Sequence, residues 1–162
     1  MDDKLAELFK LVKKNNPDEI WKGDDVHMGS VAPYGITSGL AELDLFLGGT
    51  GGYPAGKIIE FYGKPMCGKT TAALQVAAEW QKQGGGVHFV DAEVSFSPKR
   101  AKEVGCVPEH IIKSEPNTIE GIFSSVISTL DYLEKVNYDK PFLFIVDSVT
   151  GVPTLADLEG NI

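Results

Sequence analysis

GKPMCGKT, residues 63–70, matches the pattern GxxxxGK[ST], and its surroundings decide how the chain is read. The run KIIEFY at 57–62 stands directly before it and predicts a strand. Residues 69–83 follow, with Ala72, Ala73, Val76, Ala77 and Trp80 at inward helical positions, and predict a helix. Strand, glycine-bounded loop and helix in that order form the setting in which such a loop cradles phosphate. Gly63 and Gly68 let main-chain amides turn inward with no Cβ in the way. The helix N-terminus adds its partial positive charge, so an anion site results. In this pattern Lys69 neutralises β and γ phosphates, and the Thr70 hydroxyl suits Mg²⁺.

Outward from the loop, strands alternate with helices. Gly84-Gly85-Gly86 stops the first helix, and residues 87–91 predict the next strand. Ser97-Pro98 is a helix start, serine as cap and proline in the first helical position, with Gly105 as its stop. Residues 110–113 predict a short strand. Asn117 and Glu120 stand at capping-box spacing, with Asn117 in the cap position, ahead of a helix carrying Ile119, Ile122, Phe123, Val126, Ile127, Leu130 and Leu133. Residues 142–146 predict a buried apolar strand ending in Asp147. Four strands with crossing helices indicate an α/β fold, a mostly parallel sheet flanked by helices on both faces.

Acidic residues fall at the ends of two of these strands, where α/β folds place ligands. Asp147 closes FLFIVD, and an aspartate there suits the Mg²⁺ shell. Asp91 and Glu93 close VDAE, with Glu93 a candidate general base for activating water against a γ-phosphate.

Upstream, Leu5, Leu8, Phe9 and Val12 make one apolar stripe on a helix over 3–14, ended by Asn15-Asn16-Pro17. Residues 17–34 read as a linker, and 39–47 as a helix closed by Gly48-Gly49. The expected division is thus 1–34, an N-terminal helix appendage with its linker, and 35–162, the core. The formal net charge of −8 argues against gripping nucleic acid through the whole surface, though not against a local basic loop. Cys67 and Cys106 have no CxxC spacing, so neither a zinc site nor a disulfide framework is expected. Asp2 and Asp3 stand where a signal peptide would be basic, and the longest apolar runs are strand-sized. A soluble, cytoplasmic protein without membrane attachment is expected.

The order of the pieces, GLAELDLFLGGTGGYPAGKIIEFYGKPMCGKTT, then HFVDAE, then SPKRAKEVG, then FIVDSVTGVPTLADLEG, resembles the RecA recombinase family, phage members included. The resemblance implies a P-loop NTPase fold of RecA type and a DNA-dependent ATPase with ATP and Mg²⁺. Gly63, Lys64, Pro65, Met66, Cys67, Gly68, Lys69 and Thr70 would bind the phosphates, with Thr71 near the α-phosphate. Lys69 and Glu93 would be catalytic, Glu93 orienting or activating the attacking water, and Thr70 and Asp147 would serve the metal, Asp147 as the Walker-B carboxylate. The family polymerises on single-stranded DNA as a helical filament of like subunits, with the N-terminal helix packed on a neighbour. It pairs the bound strand with homologous duplex DNA in recombination and repair.

Two departures modify that expectation. Where the family commonly places an aspartate and a tyrosine around adenine, this chain has Ser97 and Arg100; a guanidinium plane can stack on a purine. The family's first DNA-binding loop starts where the sequence ends, at Leu158-Glu159-Gly160-Asn161-Ile162. The strand that normally lies between the Walker-B strand and the P-loop strand is expected to be missing, leaving both without a partner. A truncated or split chain, incomplete at its C-terminus and completed by a C-terminal polypeptide, is therefore expected. The alternatives are an inactive fragment or assembly partner that binds nucleotide without hydrolysis, and another RecA-core ATPase.

Overall fold

A computed structural model describes residues 3–15, 32, 34–47 and 51–160. The chain forms two compact units, Met1–Ala32 and Pro33–Ile162. The first contains α1, Asp3–Asn15, where the stripe of Leu5, Leu8, Phe9 and Val12 predicts a helix. Most of the linker read over 17–34, and the Gly48-Gly49 stop, lie outside the described residues.

In the second unit the elements run β1 (Gly35–Ile36), α2 (Ala41–Phe46), β2 (Tyr53–Pro54), α3 (Lys69–Lys82), β3 (Gly86–Asp91) and α4 (Pro98–Glu103). They continue with β4 (Ile111–Ser114), α5 (Ile119–Lys135), β5 (Phe142–Asp147) and α6 (Leu155–Leu158). The main sheet is parallel, in the order β4-β3-β5, with Val87 opposite Ile111 and Leu143. Central β3 alternates between the two faces. Val87 and Phe89 pack with Leu74, Ala77, Ala78 and Trp80 of α3, with Ala101, Cys106 and Ile145 in the same cluster. His88 points to the opposite face, toward Ser125 and Thr129 of α5. Helices therefore cover both faces. Cys106 is buried, and its Sγ donates to the Leu74 carbonyl; Cys67 is an exposed free thiol.

The structure corrects the sequence reading in four places. Residues 57–62 are not a strand. Residues 58–62 join no ladder among the described residues, and β5 is bonded on its β3 side alone, so the apolar segment lacks the neighbour that would make it one. Ile58 and Tyr62 are 103% and 87% exposed. An antiparallel pair, β1 with β2, was not foreseen, since each strand is two residues long. The strand read over 110–113 starts at Ile111, because Pro108–His110 forms a 3₁₀ turn. The cap of α5 is Thr118, not Asn117: Thr118 Oγ1 accepts from Gly121 N at 3.0 Å, and the Ile119 amide is bonded to the Pro153 carbonyl. Glu120 is thereby freed from the capping box, and its carboxylate accepts from the Leu155 amide at 2.9 Å.

Burying His88 requires that its ring nitrogens be satisfied. Thr129 Oγ1 donates to the Ser125 carbonyl and so accepts from Nδ1–H at 3.0 Å. Ser125 Oγ donates to Ser114 Oγ, which leaves the Ser114 proton for Nε2 at 2.9 Å. Each proton is used once, with the ring neutral. Burial holds the His88 pKa below its ordinary 6.5. The unfolded chain then takes up a proton before the native one does. Stability is full above about pH 6.5 and falls as pH drops from there through the lower folded value. A thermal midpoint that declines between pH 7 and 5.5, with the decline flattened in His88→Gln, is the expected result.

Candidate functional site

The turn from residue 63 to α3 is built from unusual backbone. Gly68, the N-cap of α3, has φ of 96°, and a Cβ on Gly63 would come within 2.9 Å of Cys67 Sγ. Met66 takes a positive φ of 62° with its side chain fully exposed. The Cys67 amide closes a turn on the Lys64 carbonyl at 3.4 Å. Lys69 Nζ donates across the turn to the carbonyls of Gly63 and Lys64, at 3.3 and 3.2 Å. The loop is therefore a short, open arch with an ammonium across it, at a helix N-terminus whose first amides have no intrahelical acceptor. Lys64, Pro65, Met66 and Cys67 are exposed along this arch.

Strand β5 brings its terminal carboxylate to that arch. Thr70 Oγ1 donates to Asp147 Oδ2 at 2.7 Å, joining residues 77 apart in sequence. A hydroxyl and a carboxylate in contact are hard oxygens of the type Mg²⁺ takes alongside retained waters, so the pair fits that ion. Among the described residues no cluster of three or more His, Cys, Asp or Glu could hold a metal. A site relying on one carboxylate, a hydroxyl and phosphate oxygens does not need one.

The loop after β3 supplies the third piece. The Glu93 amide donates to the Asp147 carbonyl at 3.2 Å, and Glu93 Oε1 accepts from Ser148 Oγ at 2.5 Å. Glu93 is thus tethered to the same strand end that holds Asp147. Asp91 is a different kind of residue. It is fully buried, accepts from the amides of Ser95 and Phe96 at 2.8 and 3.0 Å, and lies 3.5 Å from Lys113 Nζ. It shapes the loop that carries Glu93. Asp91→Ala would leave two inward amides without their acceptor and take away the buried one of the two carboxylates that Lys113 faces, Glu115 being the other. It is expected to destabilise the fold by about 2–4 kcal/mol, read as a lower urea midpoint at unchanged slope.

Ser97 caps α4, accepting from the Arg100 amide at 3.3 Å. Its hydroxyl is engaged with its own helix. Arg100 Nη1 pairs with Glu103 at 3.2 Å, while Nη2 lies 3.5 Å from Thr71 Oγ1 on the first turn of α3. Thr71 and Arg100 are therefore brought together beside the arch. Sequence reasoning assigned no role to Ser148, although it stands in the quoted VDSV; a hydroxyl following a strand-end carboxylate was the available signal. It also gave none to Lys113, whose pKa is raised chiefly by its hydrogen bond to Glu115.

A parallel sheet flanked by helices, with a glycine-bounded arch and two acids at one edge, defines an α/β protein of the kind that holds ligands at the ends of its strands. Residues 14–162 match the RecA N-terminal domain. Protein RecA of Acholeplasma laidlawii (strain PG-8A) is 35% identical over 164 residues, covering 99% of this chain and 47% of that protein. Those of Clostridium botulinum (strain Eklund 17B / Type B) and Francisella tularensis subsp. novicida (strain U112) are each 41% identical, covering 78% of this chain and 33% of theirs. The chain belongs to the RecA family. It spans about half the length, or less, of the curated relatives it matches. No helix among its described residues is long and apolar enough to cross a membrane.

Proposed function

We propose that this chain is the N-terminal part of a P-loop ATPase of RecA type, working in DNA recombination and repair in the cytoplasm. It would form filaments with like subunits on single-stranded DNA and promote pairing and strand exchange with homologous duplex DNA. The observation that carries the reading is the Thr70–Asp147 contact at 2.7 Å, which closes the arch of residues 63–70 onto the end of β5. The tether of Glu93 to the same strand end adds to it.

In this reading the amides of the arch and of the first α3 turn bind the phosphate chain, and Thr71 lies toward its α end. Lys69 exchanges its bonds to the Gly63 and Lys64 carbonyls for β and γ oxygens. Thr70 and Asp147 would hold Mg²⁺, which supplies charge neutralisation of the phosphates when bound. Glu93 orients a water and accepts its proton as it attacks the γ-phosphorus. Arg100, beside Thr71, presents a planar cation to the base. The apolar stripe of α1 supports packing on a neighbouring subunit.

Colorimetric phosphate release by the chain with ATP and Mg²⁺, with and without single-stranded DNA, tests this reading. DNA-stimulated turnover is expected. The edge of β5 that is unpaired among the described residues, and the segment 58–62 with Ile58, Ile59 and Tyr62 exposed, favour a second reading, in which a C-terminal polypeptide donates a strand and completes the core. Nucleotide binding without turnover by this chain, with turnover on addition of that polypeptide, identifies the second case.

A further inference from the structure

We infer that Ser148 is a positioning residue for Glu93, fixing the carboxylate that faces the attacking water; this rests on the ATPase reading above. Glu93 sits in an exposed loop, and a glutamate side chain left to itself spreads over many rotamers, which have to be given up to hold one orientation. Its backbone is already fixed. The Glu93 amide is bonded to the Asp147 carbonyl, and Asp91 gathers the amides of Ser95 and Phe96 behind it. The side chain, however, has one hydrogen-bond partner among the described residues, Ser148 Oγ at 2.5 Å on Oε1. The alternative acceptor for that hydroxyl, the Thr150 carbonyl, lies at 3.4 Å, so the proton goes to the carboxylate in a short charge-assisted bond. Because the loop is tethered to β5 through the backbone, the Ser148 hydroxyl is redundant for holding the loop. What it adds is the orientation of Glu93, leaving Oε2 to receive a proton from water.

Ser148 also follows Asp147 directly, and Asp147 is bonded to Thr70. One strand end therefore sets the spacing between the α3 first turn and the base. A side chain displaced by about 1 Å in such a site is enough to lower turnover by one to two orders of magnitude.

Two measurements test the assignment on the full chain. In steady-state ATP hydrolysis, Ser148→Ala is expected to lower kcat about tenfold with the Kd for ATP within twofold, and Ser148→Thr to return kcat to within about threefold. A urea-unfolding cycle of Ser148→Ala, Glu93→Ala and the double variant needs no turnover. It is expected to show coupling of about fivefold in the unfolding equilibrium constant. Additive single variants, or an unchanged kcat in Ser148→Ala, overturn the role of Ser148 while leaving the ATPase reading intact. An unsubstituted chain that binds ATP and does not turn it over, either alone or with the C-terminal polypeptide added, overturns both.

Discussion

Lys69→Ala is expected to lower ATP turnover by about 10²–10³-fold and to weaken ATP binding at least tenfold. The expectation follows from where the ammonium sits. Lys69 reaches back over the arch to the Gly63 and Lys64 carbonyls, at 3.3 and 3.2 Å, so its charge already lies at the mouth where a phosphate chain would enter. Neutral carbonyls are weak competitors for that charge, and phosphate oxygens displace them readily. The ammonium is a compact point charge between two loop carbonyls, a geometry a planar guanidinium does not reproduce; Lys69→Arg is therefore expected to recover little. The fold should survive both changes, because Lys69 lies outside the buried cluster around Phe89 and Leu74. Steady-state hydrolysis, titration of a fluorescent ATP analogue and thermal unfolding of the same variants check the three claims together. Unchanged nucleotide affinity in Lys69→Ala would place the phosphates elsewhere and remove the basis of the proposed function.

How far this arrangement could be read from sequence depends on the range over which each determinant acts. Local signals carried well. The glycines around the arch, the Ser97-Pro98 start of α4 and the glycine stop before β3 act within a few residues, and each is realised where it was read. The parallel direction of the strands was legible because apolar runs separated by helices leave few other connections, whereas their order β4-β3-β5 was not read. The segment 57–62 failed for the opposite reason. A strand is defined by its neighbour, and no apolar pattern in KIIEFY can state whether that neighbour is present. Asn117 failed by one residue because the tie from Ile119 to Pro153 comes from 34 positions downstream. In the site, the acids were read as candidates from their strand-end positions. Telling Asp91 from Glu93 required burial and partners: one points inward onto two amides and Lys113, the other outward onto a hydroxyl. Ser148 went unassigned because its contact is relational. Nothing in a lone serine after an aspartate names the carboxylate 55 positions earlier to which it donates.

Glu93→Gln is expected to reduce kcat by about 10²–10⁴-fold while leaving the affinity for ATP within about threefold. The amide oxygen of glutamine can still accept from Ser148, so the side chain keeps its place, and the Glu93 backbone bond to Asp147 does not depend on the side chain. What is lost is the capacity to take a proton from water. Binding and chemistry should therefore separate, with ATP held on the variant and a single-turnover rate that falls as far as kcat. The comparison is informative because the other carboxylates at this edge are committed. Asp147 accepts from Thr70, and Asp91 is fully buried against the amides of Ser95 and Phe96, out of reach of solvent. If Glu93→Gln turned over at the unsubstituted rate, neither could replace it without abandoning the bonds that hold the site together. The base would then have to come from another subunit, and filament formation, measured by light scattering on single-stranded DNA, would control turnover even when Glu93 is absent.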